Sequence, residues 1–345
     1  MTSNLTLMIY SLLSPITAWW QSWTGSGSLL LYSVAVLVYA IAVMIMISIF
    51  AYVFGWVERK MIAKIQHRHG PTYVGKYGIL QNLADLIKLI AKENITPANS
   101  DRLLMIIAPI LLLAIPTFLV LLLPFTPGIL ATNLSLGLLV IFVVIAFLPL
   151  TVFIAGFATG NKFADISAQR SVILLVSYEL PMMIVVAGIA LAAGTFNLSG
   201  IIAAQSSFTY FAIAMPVGFF VFFVAMLAEM ERPPFDLREA DSELIAGWLT
   251  DFSGPYYAIA LFIDYTKVFL GSLLIAILFF GGWAGPVLSG IVWLILKAFI
   301  IALFVIVIRA STVRMRLDRI LRFGWTWLLP LSLINLVLVY ILFAV

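Results

Sequence analysis

Residues 134–159 read LSLGLLVIFVVIAFLPLTVFIAGFAT, without a single Lys, Arg, Asp or Glu. A helix crossing a hydrocarbon layer roughly 30 Å thick needs about 20 apolar residues, so this stretch is long enough to have lipid as its solvent. Comparable windows fall near 28–54, 103–123, 170–193, 212–228, 255–280, 288–309 and 325–344. Hydrophobic residues make up 64% of the chain and charged residues 10%, and the mean hydropathy is +1.17. That composition belongs to polytopic helical membrane proteins. The expected fold is all-α, with eight transmembrane helices forming one membrane domain over 1–345.

Charge placement sets the expected orientation, because Lys and Arg accumulate in cytoplasmic loops. The segments 55–102, 160–170, 229–254 and 309–324 hold 17 of the 19 Lys and Arg residues, and the connections between them on the other side hold none. This alternation fits eight helices with both termini outside. The remaining two, Lys267 and Lys297, lie inside expected spans. Residues 1–20 have no basic n-region, and Trp19, Trp20 and Trp23 read as an interfacial belt before the first span. Together with the lack of an Arg-rich transit peptide, this points to the plasma membrane of a prokaryote, or less readily to an organelle-encoded chain. The absence of cysteine excludes thiolate-ligated clusters and disulfides on this chain, and the only histidines, His67 and His69, share one basic loop. Any redox metal centre therefore has to sit in a partner. The net charge of +4 follows from the loop asymmetry and implies no nucleic-acid partner.

Two loops carry most of the remaining information. In the long cytoplasmic loop 55–102, Val57, Met61, Ile62 and Ile65 recur at helical spacing among charged residues, which predicts an interfacial amphipathic helix over Trp56–His67, ended by Gly70-Pro71. A second amphipathic piece is expected over Gly78–Lys92. Such helices either lie on the headgroups or floor a site where an amphiphile passes from lipid toward a soluble partner. The acidic cytoplasmic loop 229–254 holds seven acids between Glu229 and Asp251 against two arginines, beside the Pro233-Pro234 turn. After that turn Asp236, Glu239 and Glu243 recur at i, i+3 and i+7, one face of a short helix, with Asp241 pointing elsewhere. The loop is either a solvated acidic surface or a folded, re-entrant segment whose crowded carboxylates exchange protons. The interleaved Phe235, Leu237, Leu244, Ile245 and Trp248 favour the second.

Charges at bilayer depth cost about 2.5–3.5 kcal/mol each on insertion scales, so they rarely lack partners or purpose. Glu179 precedes Leu180-Pro181 in the fourth span with no cation nearby in sequence, and is the best single proton-carrying candidate. Asp264 and Lys267, at i and i+3 in the sixth span, form either a neutralising structural pair or a functional one. The closing basic segment from Ile308 reads as a headgroup anchor.

The stretches VERKMIAKIQHRHGPTYVGKYGILQNLADLIKLIAKE (57–93), GNKFADISAQRSVILLVSYELP (160–181), GTFNLS (194–199), AEMERPPFDLREADSELIAGW (228–248) and RMRLDRILRFGWTWLLPLSLIN (314–335) occur in an order that resembles the H-type subunit of respiratory complex I, including related archaeal F420H2 dehydrogenase-type complexes. The resemblance covers essentially all of residues 30–340. It implies a membrane subunit that joins a redox arm carrying iron-sulfur clusters to antiporter-like and small membrane subunits, and that contributes to binding quinone or methanophenazine, the lipid-soluble acceptor. It further implies that the chain binds no cofactor alone and has no catalytic activity in isolation. On this resemblance Arg59, Arg232 and Phe235 are quinone-pocket or loop positions, and Glu179, Glu229, Asp236, Glu239, Asp241, Glu243, Asp251 and Asp264 are proton-coupling positions. Asp251 and Asp264 stand where many relatives have Glu, and Glu231 adds an acid where relatives often have a neutral polar residue. The Ala168-Gln169-Arg170 stretch is similar to the corresponding subunit of membrane-bound energy-converting hydrogenases, which is the alternative reading. A stand-alone secondary transporter is a third, weakened by the missing inverted repeat.

Overall fold

The computed structural model describes residues 29–126, 134–205, 210–238, 241–286 and 289–343. Trp19, Trp20, Trp23 and Glu239 lie outside these residues, and of Asp241 only the backbone is described. In chain order the helices are α1 (Leu29–Ile65), α2 (Gln81–Ile90), α3 (Arg102–Leu122), α4 (Gly137–Ala158), α5 (Lys162–Ala193), α6 (Leu198–Ala204), α7 (Pro216–Glu229), α8 (Asp241–Leu244), α9 (Gly254–Phe279), α10 (Gly290–Ser311) and α11 (Leu317–Phe343). Seven of these, α1, α3, α4, α5, α9, α10 and α11, are long and apolar enough to cross a membrane. The all-helical membrane class expected from composition is what the chain adopts.

The fifth expected span is divided. A turn at Phe211–Ala214 is followed by non-helical Met215 and then by the 14 residues of α7, which alone fall short of a full crossing. Pro216 explains the break, because it lacks an amide hydrogen and its ring crowds the preceding turn.

Three other boundaries differ from expectation. Trp56–His67 is not a separate interfacial helix: α1 runs unbroken from the apolar span through Ile65 and ends in a turn where His67 takes a φ of 54°. The charged residues did not stop the helix because Glu58 is buried and ion-paired there, while Val57, Met61 and Ile62 pack on the core. The loop therefore holds one amphipathic helix among the described residues, α2, whose Leu83, Leu86, Ile87 and Ile90 are exposed. Similarly α5 begins at Lys162 with Asn161 as its cap, and α11 begins at Leu317, so both run deeper into the basic loops than hydropathy suggests.

Two helices organise the packing. α5 lies against α4, α7 and α11, and α9 lies against α1, α3 and α10. The most apolar stretch of α9 is 78% buried, against 22% for α11, which makes α9 a central helix and α11 a peripheral one. Small residues permit the close approaches that substitute for a hydrophobic driving force in lipid. A Cβ at Gly324, where α11 widens into a π-turn over Gly324–Leu328, would lie 2.2 Å from the Ser177 carbonyl oxygen on α5.

The C-terminal end of α9 is closed by side chains on backbone. Gln205 donates to the carbonyls of Ile277 and Leu278, each at 3.1 Å, and accepts from the Gly281 amide at 3.0 Å. Lys297 donates to the carbonyls of Phe280, Gly282 and Ala284 at 2.7, 3.0 and 2.7 Å. An ammonium is well placed there, since the last carbonyls of a helix lack partners and carry the negative end of its dipole.

Candidate functional site

The opposite end of the bundle, where the basic loops gather, holds the buried charges. The acidic loop folds back into the helices: Phe235, Leu237, Leu244 and Trp248 are buried, whereas Ile245 is exposed. Its anchor is Ser167 on α5, whose hydroxyl donates to the Arg238 carbonyl at 2.6 Å and accepts from the Trp248 amide at 3.1 Å. Gly247 is required at this crossing, with φ 59° and space so tight that a Cβ would lie 1.8 Å from the Arg238 oxygen. Asp236 sits in a tight turn ahead of the one-turn α8, where the Leu237 amide donates to the Phe235 carbonyl at 2.9 Å, and not on a helix face with Glu243. The two acids take separate partners, Arg314 at 3.2 Å for Asp236 and Arg170 at 2.6 Å for Glu243.

Two buried ion clusters join the loop to the spans. Glu58 of α1, 3% exposed, receives Arg232 at 3.3 Å and Arg309 of α10. Glu231 receives Lys267 and Arg238, each at 2.6 Å, and Arg238 also reaches Asp264 at 2.5 Å. Asp264 and Lys267 therefore do not neutralise one another; each is matched by a residue of the acidic loop. With two acids and two cations the second cluster is balanced, the condition under which buried charges are tolerated. The Arg238 guanidinium also lies 5.3 Å from the Trp248 ring centroid.

Beyond these clusters the arrangement changes. The Tyr178 hydroxyl of α5 donates to one oxygen of buried Glu229 at 2.8 Å, and the other oxygen of Glu229 is buried without a hydrogen-bond partner. Glu179, half-buried, follows Tyr178 on the same helix. These two acids differ from Glu58, Glu231, Asp236, Glu243 and Asp264 in having no ion pair among the described residues.

A cleft of about 180 Å³ opens between α1, α2 and α9, with Tyr52, Arg59, Leu86, Phe262 and Tyr265 in its walls. α2 and the turn before it are held over it by three bonds to α1: Asn82 donates to the Tyr52 carbonyl at 2.9 Å, Tyr52 to the Ile79 carbonyl at 2.7 Å, and Trp56 to the Tyr77 carbonyl at 3.1 Å. Arg59 pairs with Asp85 at 2.6 Å across the cleft, and Gln81 donates to the same carboxylate at 2.9 Å. Partial burial works against ionisation of Asp85, but the bonds from Arg59 and Gln81 outweigh it and hold its pKa below the usual value. Cleft and charge clusters share a wall, since Arg232 lies 5.5 Å from the centroid of the Tyr265 ring.

Of the residues singled out in the sequence, Arg59 lines the cleft and Arg232 adjoins it. Phe235 instead faces a separate cavity between α7, α10 and the start of α11. Asp251 lies beyond the one-turn α8, just before α9, and is half-buried. Sequence reasoning passed over Glu58, Asp85, Tyr178, Arg238 and Tyr265. For Glu58 the signal was available, as an acid beside Arg59 in an apolar helical run.

Comparison with known proteins agrees with this architecture. A family profile described as NADH dehydrogenase matches residues 37–340. The H-type subunit of NADH-quinone oxidoreductase from Dehalococcoides mccartyi is 37% identical over 305 residues, covering 88% of this chain and 86% of the relative. Its counterpart in the NADH-quinone oxidoreductase of Geobacillus kaustophilus is 38% identical over 288 residues, covering 81% and 86%. The H-type subunit of F(420)H(2) dehydrogenase from Methanosarcina mazei is 35% identical over 301 residues, covering 81% and 85%. With most of its length matched and its helices arranged for a bilayer, the chain belongs to the NADH dehydrogenase family, as a membrane subunit of the complex I type alongside these relatives.

Proposed function

We propose that the chain admits a lipid-soluble acceptor, a quinone or a methanophenazine, through the cleft between α1, α2 and α9, and couples its reduction to proton translocation through the carboxylates beyond. The observation that carries this reading is the shared wall: Tyr265 lines the cleft and stacks with Arg232, which is paired to Glu58. A change of charge in the cleft is thereby felt by the buried clusters, in a low-dielectric setting where charge interactions are strong. Electrons arrive from iron-sulfur clusters of a redox-arm partner, protons leave toward antiporter-like subunits, and the setting is a prokaryotic plasma membrane with the basic loops cytoplasmic. The names of the relatives favour a quinone-type or F420H2-type complex over a hydrogenase.

In this reading the acids divide by task. Glu58, Glu231 and Asp264 are held in ion pairs and keep the loop in position. Glu229 has an unused oxygen and a hydroxyl neighbour, and Glu179 stands beside that neighbour, so these two are the groups free to take up and release a proton. Asp236 and Glu243, each in one ion pair, and Asp241 and Asp251 lie on the loop side of this pair and extend the path toward the cytoplasm.

The test uses the assembled complex in proteoliposomes. Glu179→Gln should reduce acceptor-driven proton pumping at least tenfold while the complex stays assembled; full pumping would remove Glu179 from the path. Arg59→Ala should raise the apparent KM for the acceptor about tenfold, equivalent to about 1.4 kcal/mol. An unchanged KM would place the acceptor elsewhere.

A further inference from the structure

The cavity faced by Phe235 has a volume of about 460 Å³, within the usual range for ligand pockets of about 300–1,000 Å³. Phe219, Phe220 and Phe223 of α7, Phe304 of α10 and Phe323 of α11 form much of its wall, which exposes no polar surface. The Thr312 hydroxyl, the one hydroxyl in the lining, is turned away to donate to the Ile308 carbonyl at 2.7 Å. A quinone carbonyl would find no donor here, in contrast to the cleft at Arg59. The occupant that matches such a wall is hydrocarbon.

The flank of the cavity is of opposite character. Its lining residues Met315 and Phe323 adjoin Arg316 and Arg322 in sequence, and Arg316, Arg319 and Arg322 are all exposed. None of the three takes part in an ion pair among the described residues, unlike Arg309 and Arg314 of the same segment. The segment is fixed in place, because the Met315 amide donates to the Pro234 carbonyl at 3.0 Å. Trp325 and Trp327, 48% and 63% exposed, follow directly, and aromatic rings of this kind sit at headgroup level. Phe220 and Phe304, 52% and 56% exposed, leave the cavity open to the side of the bundle.

We infer that this cavity is a binding site for an anionic phospholipid, with an acyl chain among its six phenylalanines and the phosphate held by Arg316, Arg319 and Arg322. Basic pockets between transmembrane helices recognise lipids in this way, through charge at the headgroup and burial of the chain. The site is distinct from the cleft and does not depend on what the cleft binds.

The experiment places a photo-crosslinking phenylalanine analogue at Phe220 in the assembled complex, reconstituted into nanodiscs of phosphatidylcholine with a minor fraction of phosphatidylglycerol. Mass spectrometry of the irradiated chain should find phosphatidylglycerol adducts at least fivefold above its mole fraction. That enrichment should fall toward the mole fraction in the Arg316→Gln/Arg322→Gln variant; the wild-type enrichment stands as a test even if this variant does not assemble. Adducts in proportion to the lipid mixture, an adduct with the acceptor, a peptide adduct from a neighbouring subunit, or no adduct would each overturn the proposal.

Discussion

The C-terminal end and the middle of α9 use polar side chains in opposite ways. Near Phe279, Gln205 and Lys297 direct their donors to backbone carbonyls, and the result is a sealed helix terminus. Near Asp264 the polar groups meet other side chains, in ion pairs that bridge separate segments, with one Glu229 oxygen left over. A charged residue inside a span is thus not by itself a sign of function. Lys297 and Lys267 looked alike in the sequence, yet one closes the fold and the other balances the charge of a loop.

The comparison can be broken by removing each lysine in turn. Lys267→Met leaves two buried carboxylates with one cation, and losing one partner of a buried pair costs about 3–5 kcal/mol. The complex should assemble poorly or melt at markedly lower temperature. Glu231→Gln/Lys267→Met restores the balance with Arg238 and Asp264 and should recover most of that loss, as thermal unfolding on native gels would show. If single and double variants are equally damaged, the cluster is not held by charge balance. Lys297→Met should cost less, about 1–3 kcal/mol for carbonyls left unsatisfied, with the ratio of protons pumped to electrons transferred unchanged. A changed ratio would make the sealed end part of the coupling machinery.

The smallest expected effect concerns pH and sharpens the contrast between buried and exposed pairs. Asp85 has a pKa below its ordinary value of about 3.9, so its stabilisation of α2 is complete above that value and is lost as pH falls through the folded-state value. Because Arg59 and Asp85 are 41% and 37% exposed, solvent screens the pair and keeps the contribution small. Amide exchange over Lys76–Ile90, corrected for intrinsic rates, should rise as pH drops from 5 to about 3, while α9 near Lys297 does not change over the same range.

The spans were legible because lipid leaves a helix little choice: long apolar runs must satisfy their own backbone. What the sequence hid lay where a charge finds its partner far along the chain. Hydropathy ended the first span at the cluster around Glu58, yet α1 continues because Arg232 and Arg309 neutralise that carboxylate from other segments. Helical spacing placed Asp236 with Glu243, but Asp236 lies ahead of α8 in a segment held at Arg238 by the Ser167 hydroxyl. Spacing likewise paired Asp264 with Lys267, since periodicity reports a shared face and not the third residue that arrives between. The pocket positions came from resemblance alone, and the structure divides them, with Arg59 at the cleft and Phe235 at the apolar cavity.

The pairing of Glu58 has a consequence for biosynthesis. Its two arginines lie 174 and 251 positions further along the chain, and the Pro234 carbonyl waits for the Met315 amide. A ribosome delivers the acid first and its second counter-charge only near the end of translation. Until α10 and its following loop emerge, Glu58 lacks Arg309, and the acidic loop has its anchors on α5 and α9 but not those to Arg314 and Met315. The half-made protein therefore carries Glu58 with one of its two counter-charges and the acidic loop with part of its contacts. The charge pairing begun at the first helix is complete only when α10 and the basic segment after it are in place.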